Sequence, residues 1–431
     1  DDLSLLVTGD LHLGRHPGRI PADVDSPQLS TGAVWRSLVE HAIQNKVAAL
    51  AVTGDVIDLE NRYFEAYGPF QAGVRALQEA DIPVFVVGGN HDWETLPHLI
   101  DDTATENIHL LGRDGKWERY VLEVDGQPVL SIVGWSFPSR YVRESPLSTY
   151  SPAGDPALPA VGMLHADIDT IESPYAPTRS AELVDKNVDA WLLGHLHAPR
   201  IVREEGPLIM YPGSPQPLDP GEVGTHGPWL VRIGRNKTVA TEQVPLATVR
   251  YESLRVDVSD IEEVHKVAGA IYETVDDRLR PELGNHSLRA IVLRVILTGR
   301  CPAHSRIRRQ RESLIDDLQF ELDGVPVVFD SLTQETRPPV DLQELSQGTT
   351  PVARIAELLR TLEAGQPDRL PGELVQSTLD AMEEAHTASA YGALRKKRKA
   401  APPGRDEALD CLKNQAWLLL DTLLAQKEGQ A

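Results

Sequence analysis

Five short apolar runs in the first half of the chain each end at a metal-type side chain, and this arrangement limits the fold more than any other feature. The runs are Leu3–Val7, Val47–Val52, Pro83–Val87, Val161–Leu164 and Trp191–Leu193. After them come, in order, Asp10-x-His12, Gly54-Asp55-x-x-Asp58, Gly89-Asn90-His91-Asp92, His165 and Gly194-His195-x-His197. Short unbroken runs rich in Val, Leu and Ala read as buried strands. Polar residues placed just beyond strand ends converge on one edge of a sheet, where open α/β folds build their sites. Glycines beside these residues (Gly9, Gly54, Gly88, Gly89, Gly194) permit the sharp turns and close approaches such a site needs. One Gly-Asp is an ordinary turn; five matched elements in order are not scattered surface chemistry.

The residue types point to a dinuclear metal centre that hydrolyses phosphate esters. Oxygen and imidazole ligands without thiolate suit Mn, Fe or Zn rather than a soft-metal site. Two metals about 3.5–4 Å apart need a bridging carboxylate and clamp both the attacking and the leaving oxygen of an in-line displacement. A water between them is acidified and becomes the nucleophile, so no nucleophilic Ser or Cys and no Gly-rich phosphate loop is required, and no convincing one is present.

Asp10-Leu11-His12-Leu13-Gly14, Gly54-Asp55-x-x-Asp58, Gly89-Asn90-His91-Asp92, His165 and Gly194-His195-x-His197 resemble the calcineurin-like metallophosphoesterase superfamily. Together with Tyr211-Pro212-Gly213-Ser214-Pro215, they are most similar to the SbcD-type DNA repair exonucleases, the nuclease partners of SMC-like ATPases. The resemblance implies that Asp10, His12, Asp55 and His197 hold a first metal. Asp55, Asn90, His165 and His195 would hold a second, with Asp55 as the bridge and Mn2+ as the expected ion. It also implies that His91 is a non-ligand histidine that stabilises the transition state and protonates the leaving oxygen. Asp58 is then the carboxylate that orients and charges His91, as an adjacent carboxylate raises a histidine pKa. Purple acid phosphatases carry Tyr where this chain has Asp58, which disfavours a tyrosinate-ligated ferric site. Asp92 is expected to cap the following helix rather than to support the ligands. His16, just after the first motif, is a candidate contact to substrate phosphate.

The rest of the chain divides by pattern. Helical periodicity at Val34, Leu38, Ala42 and Ile43, and at Phe70, Val74 and Leu77, alternates with the first strands. Asp125-Gly126 between Trp117–Val124 and Val129–Trp135 signals a hairpin. The segment Pro138–Pro159 reads as a loop, either a flap facing substrate or a plain connection. Residues 1–247 are expected to form an α/β, four-layer metallophosphoesterase sandwich of two mixed sheets flanked by helices. Residues 248–340 read as a small α+β capping domain, a β-α-β-α-β unit resembling the one with which SbcD-type nucleases position DNA. Arg306, Arg308 and Arg309, with Arg311, lie on its basic helical stretch; they are either a phosphate-binding face or an ordinary solvated surface. Residues 341–431 read as a helical region. Its third helix, Ala408–Ala425, carries Leu412, Ala416, Leu419 and Leu423 as an apolar stripe, and Arg395–Lys399 is a basic run before it. In SbcD-type nucleases such helices grip the coiled coil of the ATPase; self-packing or homodimerisation is the other use of such a stripe.

Composition bounds the setting. Two cysteines, Cys301 and Cys411, fall outside every motif and make no disulfide framework, and no long apolar segment or signal is present, so a soluble cytoplasmic protein without a membrane partner is expected. Asp plus Glu number 64 against 42 Lys plus Arg, a net charge of −22. Such a balance is poorly matched to DNA, whose binding draws on Lys and Arg contacts to phosphates. A basic face completed by a partner, together with adaptation to high salt, reconciles the charge with a DNA substrate. The expected activity is therefore an exo/endonuclease acting on DNA ends with an SMC-like ATPase, as a dimer. The alternative keeps the site and changes the substrate to cyclic nucleotides, RNA or another small ester. A catalytically vestigial scaffold is opposed by the complete ligand set.

Overall fold

A computed structural model describes residues 2–22, 24, 26–58, 63–103, 105–151, 154–283, 287–316, 318, 320–388 and 402–428. Four strands, β1 (Leu3–Thr8), β2 (Ala49–Val52), β3 (Val84–Val86) and β4 (Ile108–Leu110), run parallel and open a first sheet. A second sheet takes β5 (Glu118–Val124), β6 (Gln127–Trp135), β7 (Ala160–His165), β8 (Ala190–Gly194), β9 (Arg200–Arg203) and β10 (Leu208–Tyr211). The chain then returns to the first sheet with β11 (Trp229–Ile233) and β12 (Val239–Gln243), giving six strands in the order β12-β11-β1-β2-β3-β4. The second sheet runs β5-β6-β7-β8-β10-β9, with β6, β7, β8 and β10 parallel. β1 is thus flanked on one side by parallel β2 and on the other by antiparallel β11.

Side-chain alternation along the strands builds the layers. Leu5, Val7, Ala51 and Phe85 of the first sheet meet Ile132, Val161, Met163 and Leu192 of the second between the sheets. The intervening residues Leu6, Leu50, Val52 and Val86 face outward onto helices Thr31–Gln44, Tyr63–Glu79 and Thr95–Thr103, through Trp35, Leu38, Phe70, Val74 and Leu99. On the far face of the second sheet, Leu164, Trp191, Leu193 and Tyr211 pack with Leu183 of the short helix Ser180–Val184. Helix, sheet, sheet and helix are the four layers expected. The hairpin turn is where the sequence places it, with Asp125 and Gly126 both at positive φ, the twist that suits a two-residue connection.

A third sheet has β13 (Val249–Asp257), β14 (Ala290–Thr298), β15 (Phe320–Leu322) and β16 (Val325–Gln334), in the order β13-β14-β16-β15. Helix His265–Leu283 and the short helices His304–Arg309 and Arg311–Asp316 join its strands. By contact density the chain divides into one unit of residues 1–254, 275–294 and 319–331 and another of 255–274, 295–318 and 332–431.

In the second unit, helices Pro351–Glu363, Gly372–Thr387 and Arg405–Glu428 pack on one another. The seam of the last helix differs from the expected stripe: Leu412, Ala416, Trp417 and Leu420 are buried, while Leu419 is 50% exposed. The large Trp417 ring takes the inner position, and placing it there turns Leu418 and Leu419 outward. The basic run Arg395–Lys399 lies outside the described residues. No described helix is long and apolar enough to cross a membrane.

Candidate metal centre

All five motifs arrive at the same place because each follows the C-terminal end of a parallel strand. Asp10 follows β1, Asp55 follows β2, Asn90 follows β3, His165 ends β7, and His195 follows β8. The turns are tight enough that ligand-type residues themselves take positive φ: Asp10 at 49°, His12 at 43°, Asp55 at 50° and His195 at 104°. Conformations this rare for non-glycine residues persist only where the surrounding structure holds them. Gly89 meets the same crowding in another way, since a side chain there would overlap the Asp55 carboxylate.

Ligand-type atoms of Asp10, His12 and His197 form one cluster, and those of Asp10, Asp55 and His165 another, each within 4.8 Å. Nε2 of His12 lies 3.1 Å from Nε2 of His197, and Nε2 of His165 lies 3.0 Å from Oδ1 of Asn90 and 3.4 Å from Oδ2 of Asp55. Asp10, His12, Asp55, Asn90 and His165 are buried, and His195 and His197 are partly exposed.

The far side of three imidazoles is already committed. Nδ1 of His12 is 2.9 Å from Asp58, Nδ1 of His165 is 3.0 Å from the Thr53 carbonyl, and Nδ1 of His197 is 2.8 Å from Glu222. An acceptor at Nδ1 fixes the proton there and leaves Nε2 with its lone pair aimed into the cluster, as metal-binding histidines require. The field of the site also favours cations. Against the cost of burial, Asp55 and Asp10 hold His165 up at about 9, and Glu222 and Asp10 do the same for His197. Partial desolvation and the neighbouring His165 charge instead push His195 down. Two buried carboxylates, an amide oxygen and imidazoles whose Nε2 faces inward fit a pair of divalent cations, which would replace the Nε2 protons that the same field favours.

Asp58 serves two histidines at once. One oxygen takes His12 at 2.9 Å and His91 Nδ1 at 3.1 Å, and the other faces Arg15 Nε at 3.3 Å. Burial opposes its charge, but the bonds from His12 and His91 overcome that and hold it far below the usual carboxylate range. In return, Asp58 raises the His91 pKa despite partial burial. The His91 side chain is 40% exposed. It is open to an incoming ligand.

Two of these details are absent from the sequence reading, and one corrects it. Asp92 does not cap the helix that begins at Thr95. It is fully buried, and its oxygens accept the Gly89 N–H at 2.8 Å and the Val56 N–H at 2.6 Å, tying two ligand loops together. Burial and neighbouring Asp55 push its pKa up to about 7. Glu222, in an acidic turn without recognisable spacing, accepts from His197 and from the Leu218 N–H at 2.8 Å. Arg15 is likewise outside any motif. The Pro138–Pro159 segment reaches the site at one remove: Val142 bridges Tyr175, whose ring stands 5.0 Å from that of His195. His16 is exposed and belongs to none of the metal-type clusters. Arg306, Arg308 and Arg309 lie in the second unit. There Arg306 donates to the Glu262 carbonyl, Arg308 pairs with Asp421 at 2.7 Å, and Arg309 is exposed.

Residues 3–199 match the calcineurin-like phosphoesterase family, and residues 251–337 match the middle domain of metallophosphoesterase YhaO. The chain carries a calcineurin-like metallophosphoesterase domain, the class to which its paired sheets and carboxylate–imidazole cluster belong. Its relatives include the uncharacterized metallophosphoesterase YhaO of Bacillus subtilis (strain 168), 28% identical over 314 residues that cover 70% of this chain and 73% of that protein. They also include the DNA double-strand break repair protein Mre11 of Aeropyrum pernix, 27% identical over 65% of this chain and 68% of that protein. Mre11 of Thermoplasma acidophilum is 25% identical over 62% and 73% respectively.

Proposed function

We propose that this chain is a DNA exo/endonuclease that hydrolyses phosphodiester bonds with two divalent metals, Mn2+ as the expected pair, and processes DNA ends with an SMC-like ATPase. The observation that carries the hydrolytic part is the convergence of Asp10, His12, Asp55, His165 and His197 with three imidazoles locked to present Nε2. DNA as substrate is supported by the similarity to two proteins named for double-strand break repair. Asp10, His12, Asp55 and His197 are assigned to one metal, and Asp55, Asn90, His165 and His195 to the other. Bound divalent metals polarise the scissile phosphate and lower the pKa of a water. His91, held cationic by Asp58, stabilises charge on the phosphoryl oxygens and protonates the departing sugar oxygen through its second nitrogen. The chain is read as three modules, 1–247, 248–340 and 341–431, and the middle-domain match over 251–337 supports the second. His16, Arg306, Arg308 and Arg309 are proposed contacts to DNA phosphates, and of the three exposed arginines Arg309 is the one without a partner among the described residues. The C-terminal helices are proposed to bind the ATPase and to allow a homodimer; the exposed Leu418 and Leu419 support an outward-facing contact. The proposed setting is the cytoplasm.

The net charge of −22 favours one second reading, a phosphodiesterase for cyclic nucleotides, RNA or another small ester. End-labelled duplex, single-stranded circles and bis-nitrophenyl phosphate, each with Mn, Mg or chelator, separate the two. Mn-dependent loss of DNA that disappears in Asp55→Asn and His91→Ala supports the nuclease. Hydrolysis of the small ester with DNA untouched, even after the ATPase is added, supports the second reading.

A further inference from the structure

A cavity of about 450 Å3 opens within the second unit, between helix His304–Arg309, the end of β16 and the C-terminal helix. Its wall holds Arg308, Arg311, Arg337 and His304, and Asp421 is the one carboxylate among the described lining residues. That carboxylate is already satisfied. Arg308 donates to it at 2.7 Å and Ser305 at 2.9 Å, and His304 Nε2 is 3.3 Å away. No described carboxylate lies within ion-pair distance of Arg311 or Arg337.

Arg337 is also not free to swing into bulk water. Its guanidinium donates to Asn414 Oδ1 at 3.0 Å and to the Thr336 carbonyl at 3.2 Å, and it lies 5.7 Å from the Trp417 ring centroid. Arg300 lies 5.6 Å from the same ring. Arg300 is paired with Glu363 at 3.6 Å, and Glu335 and Glu363 act on Arg337 from a distance. Arg311 and Arg337 remain the lining cations without a carboxylate in direct contact, and such cations at a concave surface favour an anion. In a chain of net charge −22, this is a local reversal of sign.

The geometry points to a binding site for a small phosphate-bearing molecule, of mononucleotide or pyrophosphate size, held by Arg311 and Arg337. Guanidinium groups suit phosphate because several planar N–H donors meet several acceptor oxygens. The volume lies in the range of small-ligand sites, about 300–1,000 Å3, whereas a DNA backbone needs an open groove. Asn414 and Gln415 offer amides to the organic part, and Leu418 an apolar edge. Every lining residue belongs to the second unit and none belongs to the metal-type cluster, so the proposal does not depend on the nuclease reading.

Calorimetric titration of the full chain tests this, after dialysis against chelator so that the metal centre takes no phosphate. AMP, pyrophosphate and a short duplex oligonucleotide are the probes. One-to-one binding of AMP or pyrophosphate is expected, weakened at least tenfold in Arg311→Glu and in Arg337→Gln. Arg311 is exposed and unpaired, so its variant should melt like the parent and, with metal restored, hydrolyse bis-nitrophenyl phosphate at the parent rate. Absence of saturable binding by either small phosphate overturns the site, as does equal binding by parent and Arg311→Glu. Binding of the oligonucleotide alone, lost in the same variants, overturns it in favour of a DNA-backbone contact.

Discussion

A single oxygen of Asp58 carries the chemistry of two histidines, and the consequence is measurable. In the proposed mechanism protonated His91 is the useful form, and its folded pKa is raised by Asp58, so activity should persist through neutral pH and fall as pH rises through that raised value. Asp58→Asn removes the anionic acceptor, so the alkaline limb of the kcat profile should move toward the acid side. An unmoved limb would mean that His91 is not the group that titrates. Glu222 makes a second test. A carboxylate that orients a metal-binding histidine is worth about 10–100-fold in metal affinity. Glu222→Gln should therefore weaken Mn binding by that order in equilibrium dialysis, and unchanged affinity would leave Glu222 as a mere loop anchor. The ligand-type residues were legible in the sequence because each stands within a few residues of the end of an apolar run. Their supporting partners were not, since a Glu or Arg reaching in from a loop has no spacing to betray it. Asp92 was misread because its partners are Gly89 behind it in the turn and Val56 in another loop rather than the helix ahead.

Among the elements, strands and helices of the sandwich were legible wherever the apolar period was long or bounded by turn residues, as at Thr31–Gln44 and around Asp125-Gly126. The return of β11 and β12 to the first sheet was not, because pairing between strands far apart in sequence leaves no local trace. The C-terminal helix shows a different limit: a leucine stripe and a tryptophan compete for the same seam, and volume decides. Trp417 packs there with Leu342, Ala356, Leu359 and Leu420. Trp417→Ala should cost about 3–5 kcal/mol, the range for emptying such a buried aromatic site. Urea unfolding followed by circular dichroism reads that loss, and a loss under about 1 kcal/mol would show that the helices are held together elsewhere.

For the whole molecule, charge is the dominant quantity. A net charge of −22 sets the chain against itself, and salt relieves that repulsion. The melting temperature should rise between dilute buffer and about 1 M monovalent salt, where the screening length falls to about 3 Å. A flat or falling curve would place the negative charge in local pairs instead. Topology adds a constraint of another kind. The strand that leads to Asp10 has one of its two neighbours, β11, more than two hundred residues downstream. At about 5–20 residues per second, β1 waits tens of seconds with one edge unpaired while the rest of the domain is synthesised. The last motif, His195-x-His197, is complete before that edge is covered. A ribosome-bound fragment ending soon after His197 would thus hold every ligand-type residue of the five motifs and still lack β11, the strand that covers the open edge of β1.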